Sequence, residues 1–203
     1  MIAALYVDAK GIYASVEGID PWDITREARH YHGPHPVIAH PPCSVWCSLA
    51  RLNEVRYGRT VGDDGGCFAH ALDSVRRFGG VLEHPAKSLA WEAFGLLRPV
   101  AGGWQRAFDG SWVCEVNQGA YGHPARKATW LYACVDMPPS MRWANPAPTA
   151  TVSYLTNHGG GSLPRLTKKA ARSTPEAFRD ALISIAKEHL PLPSLASVLP
   201  SSL

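Results

Sequence analysis

The alternation of short apolar runs with a strongly periodic helix constrains the fold of this chain most. Apolar runs occupy residues 3–7 and 35–39, and a third run at 80–82 follows residues 67–78. In that segment the apolar side chains recur every three to four positions, as on one face of a helix. Strands that alternate with helices predict an α/β fold with a mostly parallel sheet. We expect three layers in a Rossmann-like arrangement.

The other predicted elements follow from local patterns. The helix over 67–78 would bury Phe68, Ala71, Leu72 and Val75, and Asp63 or Asp64 can cap its start. Two more strands, 112–116 and 128–135, flank a polar, glycine-rich loop at 117–127.

The C-terminal part has a different composition. Residues 137–170 are rich in Pro, Thr, Gly and Ser and predict a loop-rich segment, whereas STPE at 173–176 is typical of a helix start. We expect this helix to run over 173–189, with an apolar face of Phe178, Ala181, Leu182 and Ile185.

Length and composition limit the class of protein. The 203 residues fit one domain, predicted over 1–190, with a Pro/Ser/Leu-rich tail at 191–203. A net charge of +3 permits a polyanionic partner but does not require one. We expect no membrane span, because no apolar run reaches the ~18 residues that a bilayer needs. Five scattered cysteines and the absence of a signal-peptide pattern predict a cytoplasmic location.

Three predicted loops carry the residues that could act in catalysis or binding. In parallel sheets such residues lie where strands end at the carboxyl edge. The first loop carries Cys43, a potential nucleophile whose pKa a cation such as His40 or Arg51 could lower. The second carries Glu83, a carboxyl group that burial could keep partly protonated for donation to a ring nitrogen.

The third loop, 119–127, carries Arg126 and Lys127, which could bind a substrate. Taken singly, each of these residues also has an ordinary role, as a buried thiol, a surface acid or a solvated cation.

Together the loops resemble a known family. The segments HPPCSVWCSLA, GGVLEHPAKSLAW and NQGAYGHPARKATWLYA resemble three ordered motifs of the C5-cytosine DNA methyltransferases, in particular short phage-type members. The gaps of 40 residues from Cys43 to Glu83 and 43 from Glu83 to Arg126 are similar to those of the family. The matched region covers residues 37–135. If the chain is phage-encoded, its location would be the host cytoplasm.

The resemblance implies a mechanism and a partner. Cys43 would add to C6 of a cytosine, Glu83 would hydrogen-bond N3 and the exocyclic amine, and Arg126 (or Lys127) would hold the carbonyl oxygen or the adjacent phosphate. The partner would be double-stranded DNA with its cytosine flipped into a pocket. The further substrate-binding residues that it implies are His40, Pro42, His84, Gln118, Tyr121, His123 and Lys127.

The cofactor implied by the resemblance is S-adenosylmethionine, and the fold would be shortened relative to class I methyltransferases. Candidate cofactor contacts are Asp8, Gly11 and Asp23. The turn after the first strand has one glycine, and about 35 residues separate it from Cys43, too few for further strand–helix units. No metal is expected, because the cysteines and histidines lack the spacing of a zinc site.

Three functions therefore stay open. The first is a minimal adenosylmethionine-dependent cytosine methyltransferase. The second uses the same Cys/Glu chemistry with another donor or on a free nucleotide. The third is a nucleic-acid-binding or inhibitory module without turnover. Binding of S-adenosylmethionine would separate the first from the others.

Overall fold

The computed structural model describes residues 1–152 and 163–188, and its centre is a seven-stranded mixed sheet with helices on both faces. The strands are β1 (Ile2–Leu5), β2 (Ile19–Trp22), β3 (Val37–Ala39), β4 (Gly80–Pro85), β5 (Gln105–Arg106), β6 (Trp112–Asn117) and β7 (Ala128–Cys134). The α-helices in these residues are α1 (Ala50–Tyr57), α2 (Cys67–Phe78), α3 (Leu89–Ala93), α4 (Lys168–Arg172) and α5 (Glu176–Lys187). Short 3-10 helices occupy Ala28–His30 and Gln118–Tyr121.

The strand order is β2-β1-β3-β4-β7-β6-β5. β2, β1, β3 and β4 run parallel, whereas β7 is antiparallel to both β4 and β6, and β5 is antiparallel to β6. The α/β class is confirmed, but the expectation of a mostly parallel sheet is corrected to a mixed one. The reason is the short connection between β6 and β7, since a parallel pair needs a crossover of about a dozen residues or more.

The two faces of the sheet bury separate apolar clusters. Phe178, Leu182 and Ile185 of α5 are fully buried against one face, among side chains of β1, β3, β4 and β7. α2 and α3 cover the opposite face. There the predicted apolar face of α2 is confirmed, because Phe68, Ala71, Leu72 and Val75 are all buried.

The start of α2 and the turn into β4 have clear local causes. Asp64 accepts the backbone N–H of Phe68 at 2.8 Å, so one of the two predicted capping acids is in place. Gly80 opens β4 with a φ of +108°, and a Cβ at this position would overlap the carbonyl oxygen of Val37. β4 can therefore pair this closely with β3 only because its first residue is glycine.

Several elements depart from the sequence expectations. β2 was not predicted. It pairs in parallel with β1 and lies between the first turn and Cys43, in a segment that we expected to be too short for a further strand–helix unit. The C-terminal helix begins at Glu176 rather than 173, and a short α4 precedes it inside the expected loop-rich segment. The tail at 191–203 and the last residue of the predicted helix lie outside the described residues.

The fold brings the candidate loops to one edge of the sheet. The parallel strands β1, β2 and β3 end at Leu5, Trp22 and Ala39, so Tyr6, Asp23 and His40 leave the sheet on the same side. Glu83 lies in the second half of β4, near the same edge. Over 1–152 and 163–188, no helix is long and apolar enough to cross a bilayer.

Candidate active site

Glu83 is the centre of a hydrogen-bonded group. Its side chain is 12% exposed, and both carboxylate oxygens have partners. Nδ1 of His40, at the end of β3, lies 2.9 Å from Oε2, and Nε2 of Gln118 donates to Oε1 at 3.3 Å. Gln118 itself is fully buried and also donates to Oγ1 of Thr129 at 3.0 Å. Three loops of the sequence therefore meet at one carboxyl group.

The surroundings keep Glu83 ionised. Burial raises the pKa of this carboxyl, but the hydrogen bond from His40 and the positive charges of His40 and Lys127 outweigh burial and leave the pKa below its usual range. The sequence expectation that burial would keep the group partly protonated is corrected, because it did not include these partners.

Tyr13 extends the group away from the sheet edge. Its ring is buried at 2% exposure, and its hydroxyl oxygen lies 2.9 Å from Nε2 of His40. His40 is thus held at both ring nitrogens, by Tyr13 on one side and Glu83 on the other. Sequence reasoning missed Tyr13, because it lies in the irregular β1–β2 connection.

Cys43 lies in the loop after β3 and begins a helical turn. Its carbonyl oxygen accepts the N–H groups of Trp46 and Cys47 at 3.1 and 2.9 Å. The side chain is half-buried. Burial raises the pKa of the thiol, as do the negative charges of Glu83 and Cys47, and the positive charge of Arg172 opposes them only in part. The protonated thiol is therefore favoured at neutral pH.

The expected thiol activation is thus corrected. His40 does not serve as a cation for Cys43, because its ring nitrogens contact Tyr13 and Glu83. Arg51 is exposed on α1.

Lys127, rather than Arg126, is the cation of the third loop whose charge acts on the Glu83 carboxylate. Burial lowers the pKa of Lys127, whereas the negative charges of Glu83 and Cys43 raise it in part. Its Nζ donates to the carbonyl oxygen of Ser173 at 2.8 Å and lies 3.4 Å from that of Arg172. The segment between α4 and α5 therefore anchors this cation.

Arg126 lies elsewhere. It is exposed and lines a shallow cavity of about 180 Å³ together with Asn117, Trp143 and Asn145. The structure therefore separates the two neighbouring cations of the third loop.

His84 belongs to the core. It is 1% exposed, its Nδ1 lies 2.7 Å from Oγ of Ser88, and its ring packs against Phe68 and Trp91. Burial lowers the pKa of His84 to about 4. Because successive residues of a strand point to opposite faces, Glu83 and His84 cannot both face the same cleft.

The remaining predicted substrate-binding residues divide between core and surface. Tyr121 is buried against Phe178, and its hydroxyl accepts the N–H of Arg142 at 2.8 Å. His123 is buried within its own loop, where Nδ1 accepts the N–H of Ala125 at 3.1 Å. Pro42 is exposed beside Cys43. Of the seven, only His40, Gln118 and Lys127 join Glu83.

The predicted cofactor contacts lie at the expected edge, but their own turns use them. Oδ1 of Asp8 accepts the N–H of Lys10 at 2.9 Å, and Oδ1 of Asp23 accepts that of Thr25 at 2.9 Å. Gly11 closes the first turn through a bond to the carbonyl of Asp8, from which a Cβ on Gly11 would be only 2.9 Å away. The glycine therefore serves the turn, and these three residues do not fit a cradle for S-adenosylmethionine.

Metal ligands and known relatives give no further assignment. Within the described ranges, no group of three or more His, Cys, Asp or Glu side chains could hold a metal ion. Comparison with protein-family models gives no match, and comparison with curated proteins gives no significant one. The function must therefore be argued from the site itself.

Proposed function

We propose that this chain is a cytosine-directed enzyme of the C5-methyltransferase type, with Cys43 as nucleophile and DNA as its partner. The observation that carries the proposal is that Cys43, Glu83 and Lys127, which come from three separate loops, act on one another electrostatically around the hydrogen-bonded group of His40, Glu83 and Gln118. The charge of Glu83 acts on the Cys43 thiol, and the charges of both groups act on Lys127. A thiol, a carboxylate and a cation are the groups needed to add to a pyrimidine and to stabilise the adduct.

The protonation states favour an addition that needs no outside proton. Sγ of Cys43 bonds to C6 of the base, and the thiol proton passes through the ionised carboxylate of Glu83 to N3. The C5=C6 electron pair moves to C4–C5, and the C4=N3 pair moves onto N3 as the proton arrives. The product is an enamine whose C5 is nucleophilic. Glu83 then accepts the N3–H, so it stabilises the adduct more than free cytosine.

Lys127 would also stabilise the base. An ammonium group has three donors, and the carbonyl oxygens of Ser173 and Arg172 occupy two of them at most. The third can donate to the cytosine carbonyl oxygen. Of the two residues to which the family resemblance gives this role, Arg126 and Lys127, Lys127 would therefore be the one that fills it.

The sheet topology supports the same location. The parallel half has the order β2-β1-β3-β4, which is shared with flavodoxin-like doubly wound sheets rather than with the Rossmann order. In such sheets ligands bind beyond the carboxyl ends at the point where the strand order reverses, here between β1 and β3. His40 and the Cys43 loop leave the sheet at that point.

The methyl donor is the part of the family resemblance that the residues do not support. S-adenosylmethionine would supply an electrophilic methyl group, but Asp8, Gly11 and Asp23 do not fit it. Activation of C5 is separable from methyl transfer, because the enamine can take a proton from water at C5 and lose the original C5 hydrogen as a proton. The C6–S bond then breaks, the N3 proton returns to the Cys43 sulfur, and cytosine is regenerated.

Deuterium exchange at cytosine C5 tests the proposal directly. Wild-type protein in D₂O should replace the C5 hydrogen of cytosine in duplex DNA, as read by mass spectrometry of the released nucleosides. Cys43→Ser should abolish the exchange, and Cys47→Ser, the matched control, should retain it. Absence of exchange in duplex DNA, single-stranded DNA and free dCMP would refute the enzyme proposal.

A non-catalytic binding module is the second candidate, and the raised pKa of the Cys43 thiol favours it. In that case Cys43→Ser should leave DNA affinity unchanged while no variant exchanges deuterium. Calorimetry with S-adenosylmethionine at ~0.1 mM protein, which detects micromolar dissociation constants, is a separate measurement. Binding heat would show that the protein accepts the cofactor and would contradict the misfit inferred from Asp8, Gly11 and Asp23.

A further inference from the structure

We propose that His40, anchored by Tyr13, is a positioning residue that holds the Glu83 carboxylate ionised and directed at the base. This inference rests on the proposed function for its effect on activity, but its effect on Glu83 can be measured without any substrate. The family resemblance gave His40 a substrate contact, whereas the geometry points to an indirect role.

The contacts form a continuous chain from the β1–β2 connection to β4. The hydroxyl of Tyr13 lies 2.9 Å from Nε2 of His40, and Nδ1 of His40 lies 2.9 Å from Oε2 of Glu83. The side chains of His40 and Glu83 are 14% and 12% exposed, and Tyr13 is 2% exposed. Water therefore screens these contacts only slightly.

The hydrogen bond between His40 and Glu83 has a defined donor and acceptor. An ionised carboxylate has no proton to donate, so Nδ1 of His40 must carry the hydrogen of this bond. In the neutral imidazole Nε2 then accepts the proton of the Tyr13 hydroxyl, and in the imidazolium it donates to the Tyr13 oxygen. Tyr13 thus fixes the ring in both protonation states, and Nδ1–H stays on Glu83.

The groups around the pair leave His40 as the closest partner of the carboxylate. Lys127, His84 and the thiol of Cys43 also face Glu83 electrostatically, and Gln118 donates to its other oxygen. On the far side, Arg179 and Asp180 of α5 act on Tyr13. None of the ionisable neighbours other than His40 makes a hydrogen bond to Glu83 in the described residues.

Carbon-13 NMR titration of the Glu83 side-chain carboxyl tests this role without substrate. Glu83→Gln assigns the signal. His40→Ala should raise the measured pKa of Glu83, and His40→Asn, which keeps an N–H close to the Nδ1 position, should raise it less. Tyr13→Phe keeps the buried ring and should also raise it less. His32→Ala, a change at an exposed histidine, should leave it unchanged. An unchanged Glu83 pKa in both His40 variants would overturn the proposal.

The pH profile of deuterium exchange gives the catalytic readout. Activity needs ionised Glu83, so it should fall as the pH falls through the pKa of this group. His40→Ala should shift that acid limb to higher pH, and His40→Asn should partly restore it. A uniform loss of rate with an unmoved limb would mean a merely structural role and would overturn the proposal. If wild-type protein shows no exchange, the proposed function fails, and the NMR titration still decides what His40 does to Glu83.

Discussion

Replacing Phe178 with alanine tests how α5 is held on the sheet. Phe178 is fully buried, its ring centroid lies 5.0 Å from that of Tyr121, and it belongs to the same buried cluster as Val81 and Leu131 of the sheet. Removal of a buried phenylalanine ring costs about 3–5 kcal/mol in transfer free energy and cavity formation. We expect a loss in this range for the free energy of unfolding of Phe178→Ala.

Urea denaturation followed by far-UV circular dichroism measures the loss. With a slope of about 2 kcal/mol per molar urea, the unfolding midpoint should fall by about 1.5–2.5 M. The matched control is Phe108→Ala, because the ring of Phe108 is fully exposed. A surface change of this kind should alter stability by less than about 0.5 kcal/mol.

A loss below about 1 kcal/mol for Phe178→Ala would refute this account of α5, because such a value is far too small for a buried ring. The result also bears on the site. Ser173, whose carbonyl holds Lys127 at 2.8 Å, lies just before α5. If α5 is docked as described, Phe178→Ala should lower the rate of deuterium exchange by more than its unfolded fraction accounts for. The rate per folded molecule should therefore be below that of the wild type.

Three further predictions concern the site. Lys127→Met should reduce the C5 exchange rate about 100-fold, as removal of a preorganised donor does, whereas Arg126→Met, an exposed control, should change it less than about threefold because water screens its charge. Glu83 has a lowered pKa, so its carboxylate stabilises the fold above the ordinary glutamate range and loses this contribution as the pH falls through its folded-state pKa. Urea midpoints measured between about pH 6 and 3 should therefore decline less in Glu83→Gln; an equal decline would contradict the assignment. The same variant should make Cys43 react faster with iodoacetamide, because the charge that raises the thiol pKa is gone; slower labelling, quantified by peptide mass spectrometry, would contradict it.

The sequence predicted those elements whose pattern is local. The helix over 67–78 was predicted with the bounds that the structure has, because its apolar residues repeat at the helical period and two glycines end it. β2 was missed, since IDPW is only four residues long and contains an aspartate and a proline. Strands tolerate proline chiefly at the edge of a sheet, which is where β2 lies. The antiparallel placement of β7 was readable from the ten residues that join it to β6, which are too few for a parallel crossover, but the expectation of a mostly parallel sheet did not use this length.

The central residues of the candidate site could be predicted from the sequence, but the residues that hydrogen-bond to them could not. The motif order alone identified Cys43 and Glu83 as a pair. The alternation of side chains along a strand would also have placed His84 on the face opposite Glu83, and this signal was available in the sequence. The bonds from Tyr13 and Ser173 could not be predicted, because they join residues of irregular segments that are 27 and 46 positions from their partners.

The β1–β2 connection decides which kind of ligand the sheet edge can hold. In dinucleotide-binding sheets, glycines and a helix N-terminus after the first strand direct backbone N–H groups at an anionic ligand. Here residues 6–18, all of them described, form turns without a helix, and the N–H of Lys10 already bonds to Asp8. The connection instead supplies Tyr13, which contacts His40 and through it Glu83. The first crossover thus supports the Glu83 carboxylate through Tyr13 and His40, and a ligand at this edge would meet these side chains instead of the N–H groups of a helix start.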